Sequence, residues 1–131
     1  FFLNNSLALH LASCKCKGYL GKEILFRVLA KFPEATRNLD KKGMLPLHRA
    51  LDTEGMTAPS FEVIKMLLDA YPEAVKQIHR STKKLPLHFA VHYFSDVGIC
   101  NAKYIMSKYP AALGTLDYRE QLPLRRVWYP V

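Results

Sequence analysis

The chain has 131 residues, enough for a single domain, and half of them are hydrophobic, which is enough to form a continuous core. Its 19 Lys and Arg residues outnumber 11 Asp and Glu residues, and the resulting net charge of +8 favours acidic partners. No apolar run approaches the roughly 20 residues that a transmembrane helix needs, so we expect none. Three cysteines, Cys14, Cys16 and Cys100, are too few for a disulfide framework. They favour a reducing, intracellular location, cytoplasmic or nuclear.

Two short motifs repeat along the chain in a fixed order. The motif LPLHRA at residues 45–50 returns as LPLHFA at residues 85–90. Weaker copies begin at Leu7 and Leu122, so that successive copies begin 38, 40 and 37 residues apart. The second motif is an aromatic residue followed by proline, and it occurs in phase with the first at Phe32, Tyr71 and Tyr109. Agreement between the two motifs indicates an internal repeat.

Each repeat predicts a short helix followed by a longer one. The short helix begins at the motif proline, because the first turn of a helix does not need the missing N–H. The longer helix has apolar residues spaced three and four apart, and it ends near the aromatic residue, because proline disfavours helical dihedrals before it. In chain order, we predict seven helices at residues 7–15, 22–32, 46–52, 60–71, 86–93, 99–109 and, unpaired, 123–128.

An aliphatic residue and a polar stretch follow each aromatic-proline pair. We expect the aliphatic residues to be apolar anchors; they are Leu39, Ile78 and Leu116. We expect the polar stretches to be exposed loops; they lie at residues 40–43, 79–84 and 117–121.

Three histidines occupy one position of the repeat: His10, His48 and His88. Such a row could indicate a metal or catalytic site. However, corresponding residues of packed helices lie roughly 10 Å apart, whereas a metal ion binds its nitrogen ligands at about 2 Å. We therefore predict that these histidines are structural and bond to the backbone.

No other pattern predicts a cofactor, a metal or a catalytic site. A zinc site built from His10, Cys14 and Cys16 is disfavoured because the four-ligand spacing of structural zinc sites is absent. Cys14 and Cys100 are expected to be small core residues. Since no phosphate-binding, nucleophile or paired-carboxylate motif is present either, we expect that the protein is not an enzyme.

The Pro-Leu-His-x-Ala motif at the start of a short helix, followed by an apolar helix and a polar loop, resembles the ankyrin repeat. The LPLH form with Tyr-Pro-Glu-Ala is similar to ankyrin-like repeats in proteins of diatoms and related algae. The chain departs from that family in having leucine before the motif proline, where the family has threonine, and in its period, which exceeds the usual value of about 33 residues.

The resemblance implies an all-α, ankyrin-like helix-turn-helix repeat solenoid. Residues 1–131 would form one domain, with repeats at 7–44, 45–84 and 85–121 and a partial repeat at 122–131. Because the first residue is Phe1 rather than Met, we also expect the chain to be part of a longer protein.

In an ankyrin-like stack, the loop tips and the short helices line a concave surface. The resemblance therefore implies a scaffold that binds another protein there, and the basic bias favours an acidic one. The alternative function is binding to nucleic acid or an anionic surface, and the alternative interpretation of the charges is a solvated basic face. The candidate partner-binding residues are Lys41, Lys42, Arg49, Arg80, Lys83, Lys84, Phe89, Arg119 and Arg126.

Overall fold

The computed structural model describes residues 18–52, 59–92 and 95–124. Within these ranges the chain forms five α-helices and no β-strand, which confirms the all-α class for this part of the chain. None of these helices is long and apolar enough to cross a membrane. The helices are α1 (Gly18–Lys31), α2 (Pro46–Leu51), α3 (Phe61–Ala70), α4 (Pro86–Ala90) and α5 (Asp96–Lys108).

The observed helix bounds correct several predicted ones. The predictions for α2 and α3 hold to within one residue, whereas α1 begins four residues early and α4 ends three residues early. Helix α5 begins at Asp96 rather than at residue 99, because Ser95 is its N-cap and accepts a 3.1 Å hydrogen bond from the Gly98 N–H. The predicted helix at 7–15 and most of that at 123–128 lie outside the described residues.

A 3₁₀ turn, which the sequence pattern did not predict, follows each long helix. The turns are Pro33–Arg37, Pro72–Lys76 and Pro110–Gly114. Each begins at the proline, whose missing N–H is not needed there. The aromatic residue before each proline leaves the helical region, as at Tyr71 with φ −144° and ψ 83°. The third residue of each turn is buried, namely Ala35, Ala74 and Ala112. These alanines anchor the chain after each long helix.

The expectation that Leu39, Ile78 and Leu116 are apolar anchors was wrong. Their exposed fractions are 46%, 48% and 50%. The backbone before them is extended at Asn38, Gln77 and Thr115, and successive side chains of an extended chain point to opposite sides. The polar residue that follows turns inward instead: His79 and Asp117 are 9% and 7% exposed.

The helices pack in two rows, short against short and long against long. Helix α2 contacts α4, while α3 contacts both α1 and α5. The long helices each bury an aliphatic residue completely, namely Leu25, Ile64 and Ile105. The short helices bury leucines and alanines at matching positions, namely Leu47 and Ala50 on α2 and Leu87 and Ala90 on α4. The small alanines leave room for a close approach of α2 to α4.

Cations of one repeat also lie over aromatic rings of the next repeat. The Arg37 guanidinium lies 5.2 Å from the ring centre of Tyr71, and the Lys76 ammonium lies 5.9 Å from that of Tyr109. Both distances are within cation–π range. The aromatic residues that end the long helices thus link successive units as well as ending the helices.

Near the end of every polar loop, one residue has a left-handed backbone conformation. Gly43, Lys83 and Glu120 have φ of 74°, 54° and 58°. Only glycine adopts this region without steric cost. Residues 43 and 120 occupy the same loop position, so the third loop uses a glutamate where the first uses glycine.

We expect Glu120→Gly to raise the unfolding free energy by about 0.5–1 kcal/mol. The left-handed conformation costs a residue with a Cβ about 1–2 kcal/mol, and the larger entropy of glycine in the unfolded chain offsets only part of this. Urea denaturation measures the difference. Glu120→Ala removes the same charge but keeps the Cβ, so an equal gain in that variant would assign the effect to charge instead.

Candidate partner-binding surface

The first and third polar loops are each closed by an aspartate. We call residues 40–44 loop 1, residues 79–84 loop 2 and residues 117–121 loop 3. The Asp40 carboxylate accepts hydrogen bonds from the backbone N–H groups of Lys42 and Met44, at 2.8 and 3.0 Å. Asp117 accepts the same pair from Arg119 and Gln121 in loop 3, at 2.8 and 3.0 Å. Such aspartate turns fix the loop backbone without outside partners.

Loop 2 is one residue longer and uses a histidine to bond to its neighbour. The His79 ring is buried, and its Nε2 donates to the Lys42 carbonyl of loop 1 at 3.0 Å. Its Nδ1 lies 2.9 Å from the Thr82 hydroxyl. On the other side, the backbone N–H of Tyr118 in loop 3 donates to the Thr82 carbonyl at 2.9 Å. The three loops are therefore hydrogen-bonded to one another as one layer.

Five of the predicted binding residues are exposed on this layer, and we call them the basic loop surface: Lys41, Lys42, Arg80, Lys83 and Arg119. None of them forms a salt bridge within the described residues. The Arg119 guanidinium stacks on the Tyr118 ring at 5.2 Å and bonds to its hydroxyl. The carboxylates of Asp40 and Asp117 face inward. Glu120 is the one exposed acidic residue of the three loops, against the five cations of this surface.

Arg49 does not belong to the basic loop surface. Its guanidinium forms a salt bridge with the Asp40 carboxylate, and the side chain is only 26% exposed. Burial opposes ionisation of Asp40, but the hydrogen bonds from Met44, Arg49 and Lys42 outweigh it and lower the pKa of Asp40. Arg49 was predicted as a partner-binding residue, and in the structure its charge is paired with Asp40 and holds loop 1 against α2.

Phe89 is also mostly buried. The residue is 9% exposed, and its ring packs against the rings of His48 and His79, with centroid distances of 5.7 and 6.4 Å. The Lys84 ammonium covers it at 5.6 Å. Phe89, predicted as a partner-binding residue, therefore has a packing role within the fold, and half-buried Lys84 lies at the edge of the surface. Arg126 lies outside the described residues.

The predicted backbone bonding of the repeat histidines is confirmed at His48 and His88, whereas His10 lies outside the described residues. In both, Nδ1 accepts from the backbone N–H of the leucine three residues earlier, at 3.2 and 3.1 Å. Nε2 must then carry the proton, and it donates to the carbonyl of Gln77 or Gln121, at 3.0 and 3.2 Å. The leucine before the motif proline thus donates a hydrogen bond to the histidine ring through its backbone N–H.

Burial changes the acidity of both rings. Loss of solvent lowers the pKa of His48 from 6.5 to about 4, and the same cause lowers that of His88. Protonation would place a hydrogen on Nδ1 and break the bond from the leucine N–H. The two rings are consequently neutral structural groups near pH 7.

Cys100 is exposed, so its expected place in the core was wrong. The buried positions of α5 are Gly98, Asn101, Ala102 and Ile105, a face that excludes residue 100. Cys100 instead lines a shallow groove of about 520 Å³, together with Phe61, Asp96, Val97, Lys103 and Tyr104. In the described part of the chain, no three His, Cys, Asp or Glu residues lie close enough to hold a metal ion.

Sequence reasoning did not single out His79, which links the loops. It occupies the position that aspartate holds in loops 1 and 3, so only alignment of the three loops could have marked it. Comparison with protein-family models, with curated proteins and with solved structures finds no match to this chain.

Proposed function

We propose that the chain is an ankyrin-like repeat stack that acts as a protein-binding scaffold. The order of short helix, long helix, 3₁₀ turn and loop occurs twice, from Pro46 to loop 2 and from Pro86 to loop 3. The same histidine bonds and buried alanines recur in both copies. A stack of such units presents a long, rigid surface that suits contact with another macromolecule better than chemistry on a small molecule.

The basic loop surface supports an acidic partner. Its cations have no carboxylate partners in the described residues, although Arg49, Lys22 and Arg27 elsewhere are paired. Hydrogen bonds between the loops hold the backbone in place before binding, which lowers the entropy cost of association. The proposal rests on the observation that these cations are unpaired and that the backbone of their loops is held in place.

The position of the aromatic rings favours a protein partner over nucleic acid. Binding of single strands needs exposed rings beside basic groups, on which bases can stack. Phe32, Tyr71 and Tyr109 are half-buried, and the last two are already covered by Arg37 and Lys76. Tyr118 is exposed, but Arg119 lies against its ring. Polyanion binding through charge alone is therefore the second candidate function, and the experiment below separates the two.

We expect a variant with Lys41, Lys42, Arg80 and Lys83 replaced by Ser to stay folded and to bind an acidic protein partner at least about tenfold more weakly. Exposed substitutions each shift stability by less than about 0.5 kcal/mol, whereas rim charges at an interface change association and its salt dependence. The partner is captured from cell extract with the unaltered chain, and its affinity is measured at two salt concentrations.

The matched control replaces four exposed lysines on the long helices, namely Lys31, Lys65, Lys103 and Lys108, also by Ser. Both variants lose four positive charges. An equal loss of affinity in the control would refute a site at the loops. Binding of heparin and single-stranded DNA in preference to any protein, with a steep salt dependence in both variants, would establish the polyanion function instead.

A further inference from the structure

Three exposed aliphatic residues form a second repeating feature beside the loops. We call Leu39, Ile78 and Leu116 the aliphatic row; about half of each side chain is exposed. They occupy corresponding positions, each directly before a loop. The residues that follow them are in neighbouring loops bonded to one another, through His79 to Lys42 and Tyr118 to Thr82. The three residues therefore lie beside neighbouring loops, one in each successive repeat.

Cations border the first two residues of the aliphatic row on both sides along the chain, whereas Gly114 and Tyr118 hold those positions beside Leu116. Two residues before Leu39 and Ile78 are the exposed Arg37 and Lys76, the last residues of their 3₁₀ turns. Two residues after them are Lys41 and Arg80 of the basic loop surface. Lys76 is paired with Glu73 at 3.6 Å, and Glu34 holds the same position as Glu73 in the first turn. The row is apolar and its border is mainly basic, which matches a partner that is apolar in the middle and acidic at its edges.

The backbone beside the aliphatic row is already hydrogen-bonded. The N–H groups of Asn38 and Asp40 donate to Ala35 and Met44, and the equivalent groups of Gln77 and His79 donate to Ala74 and Lys84. The row therefore offers no continuous strand edge to which an extended peptide could add. A partner whose own backbone bonds are satisfied internally, as in an α-helix, fits this surface.

The spacing of the units also fits a helix. Packed helices lie roughly 8–10 Å apart, and an α-helix advances about 10.5 Å in seven residues. A helix that lies along the row would place one apolar residue at each unit with heptad spacing. Further apolar residues three or four positions on would fall between the units.

We propose that the aliphatic row and the adjoining basic loop surface form the docking site for an acidic, amphipathic α-helix of a partner protein. The proposal rests on the protein-binding function above and specifies the chemistry of the partner. Burial of leucine side chains would supply affinity, while glutamates on both flanks of the helix would meet the cations and fix its position.

The test uses the whole chain and a synthetic helix of three heptads, with leucines at the first and fourth heptad positions and glutamates on the flanks. A second peptide has the same composition in scrambled order. We expect Leu39→Ser, Ile78→Ser and Leu116→Ser, combined, to weaken binding of the patterned peptide at least tenfold. The matched control, Ile24→Ser, Val97→Ser and Ile99→Ser, removes equally exposed aliphatic residues from the long helices and should change affinity less than twofold.

Equal affinity for the two peptides, no binding of the patterned one at millimolar concentration, or no effect of the row variant would overturn the helix proposal. Stronger binding of a single-stranded oligonucleotide of equal charge would overturn it as well. The captured partner distinguishes the two proposals. If its affinity depends on the basic loop surface but not on the aliphatic row, the scaffold function stands and the helical partner fails. If it depends on neither, the scaffold function at this surface fails too.

Discussion

Lowering the pH from 7 to 4 is expected to remove about 3 kcal/mol of the unfolding free energy through His48 alone. The pKa of His48 falls from 6.5 to about 4 on folding, because burial disfavours the charged ring, and each pKa unit corresponds to about 1.36 kcal/mol. The unfolded chain therefore binds the proton first. The contribution of His48 to the unfolding free energy is fully present above about pH 6.5, decreases as the pH falls toward 4, and no longer changes below that. Urea denaturation at a series of pH values measures this curve.

His48→Gln is the variant that assigns the pH effect to this ring. Glutamine does not titrate in this range, and its amide can donate to the Gln77 carbonyl, which His48 Nε2 now does at 3.0 Å. We expect a less stable protein at pH 7 whose remaining pH dependence between 7 and 4 is smaller by about 3 kcal/mol. An unchanged pH profile in His48→Gln would show that other groups produce the loss.

His88 and Asp40 also make the unfolding free energy depend on pH, and their effects can be told apart. His88 contributes in the same direction as His48, because its pKa is also lowered by burial. Asp40 acts at lower pH, because its pKa is lowered from 3.8 by bonds that outweigh burial. The stability that Asp40 provides is present above its ordinary pKa and is lost only as the pH falls below that value. A first loss above pH 4 therefore reports the buried histidines, and a second one below it reports the carboxylates whose pKa is lowered, Asp40 and the exposed Glu62.

The sequence predicted what depends on periodic burial. The long helices were found because apolar residues spaced three and four apart must share a buried face, as Ile64, Leu67 and Leu68 do. The histidine position was found because a buried ring in a repeated backbone needs repeated partners, which His48 and His88 have. Both arguments need only local spacing and the cost of burying unpaired polar groups.

The remaining features depend on contacts that spacing does not encode. Arg49 looks like a free cation in the sequence, but folding brings it to Asp40, nine residues earlier. Phe89 looks like a variable position within the motif, but folding packs it against the rings of His48 and His79. The start of α5 was the exception, since Ser95 followed by Asp96 is a local N-cap signal that could have been recognised.

Leu87→Ala is expected to lower the unfolding free energy by about 2–5 kcal/mol, because truncation of a buried leucine removes apolar burial and leaves a cavity. Leu87 is 0% exposed on α4, the short helix that contacts α2, α5 and the second 3₁₀ turn. A loss of this size is a large part of the roughly 5–15 kcal/mol that stabilises a typical domain.

The same truncation at Leu116, which is 50% exposed, is the matched comparison and should cost less than about 0.5 kcal/mol. The pair also decides between two accounts of the segment after each long helix. If Leu116 were an apolar anchor, as its place in the repeat first predicts, Leu116→Ala would approach Leu87→Ala in cost. If the buried alanines of the 3₁₀ turns anchor the chain, enlarging Ala112 to Leu would instead be disruptive, since that side chain is 0% exposed and overpacking costs about 1–3 kcal/mol. Urea denaturation measures the unfolding free energy of the three variants. A loss above 2 kcal/mol in Leu116→Ala would show that Leu116 is a core residue after all.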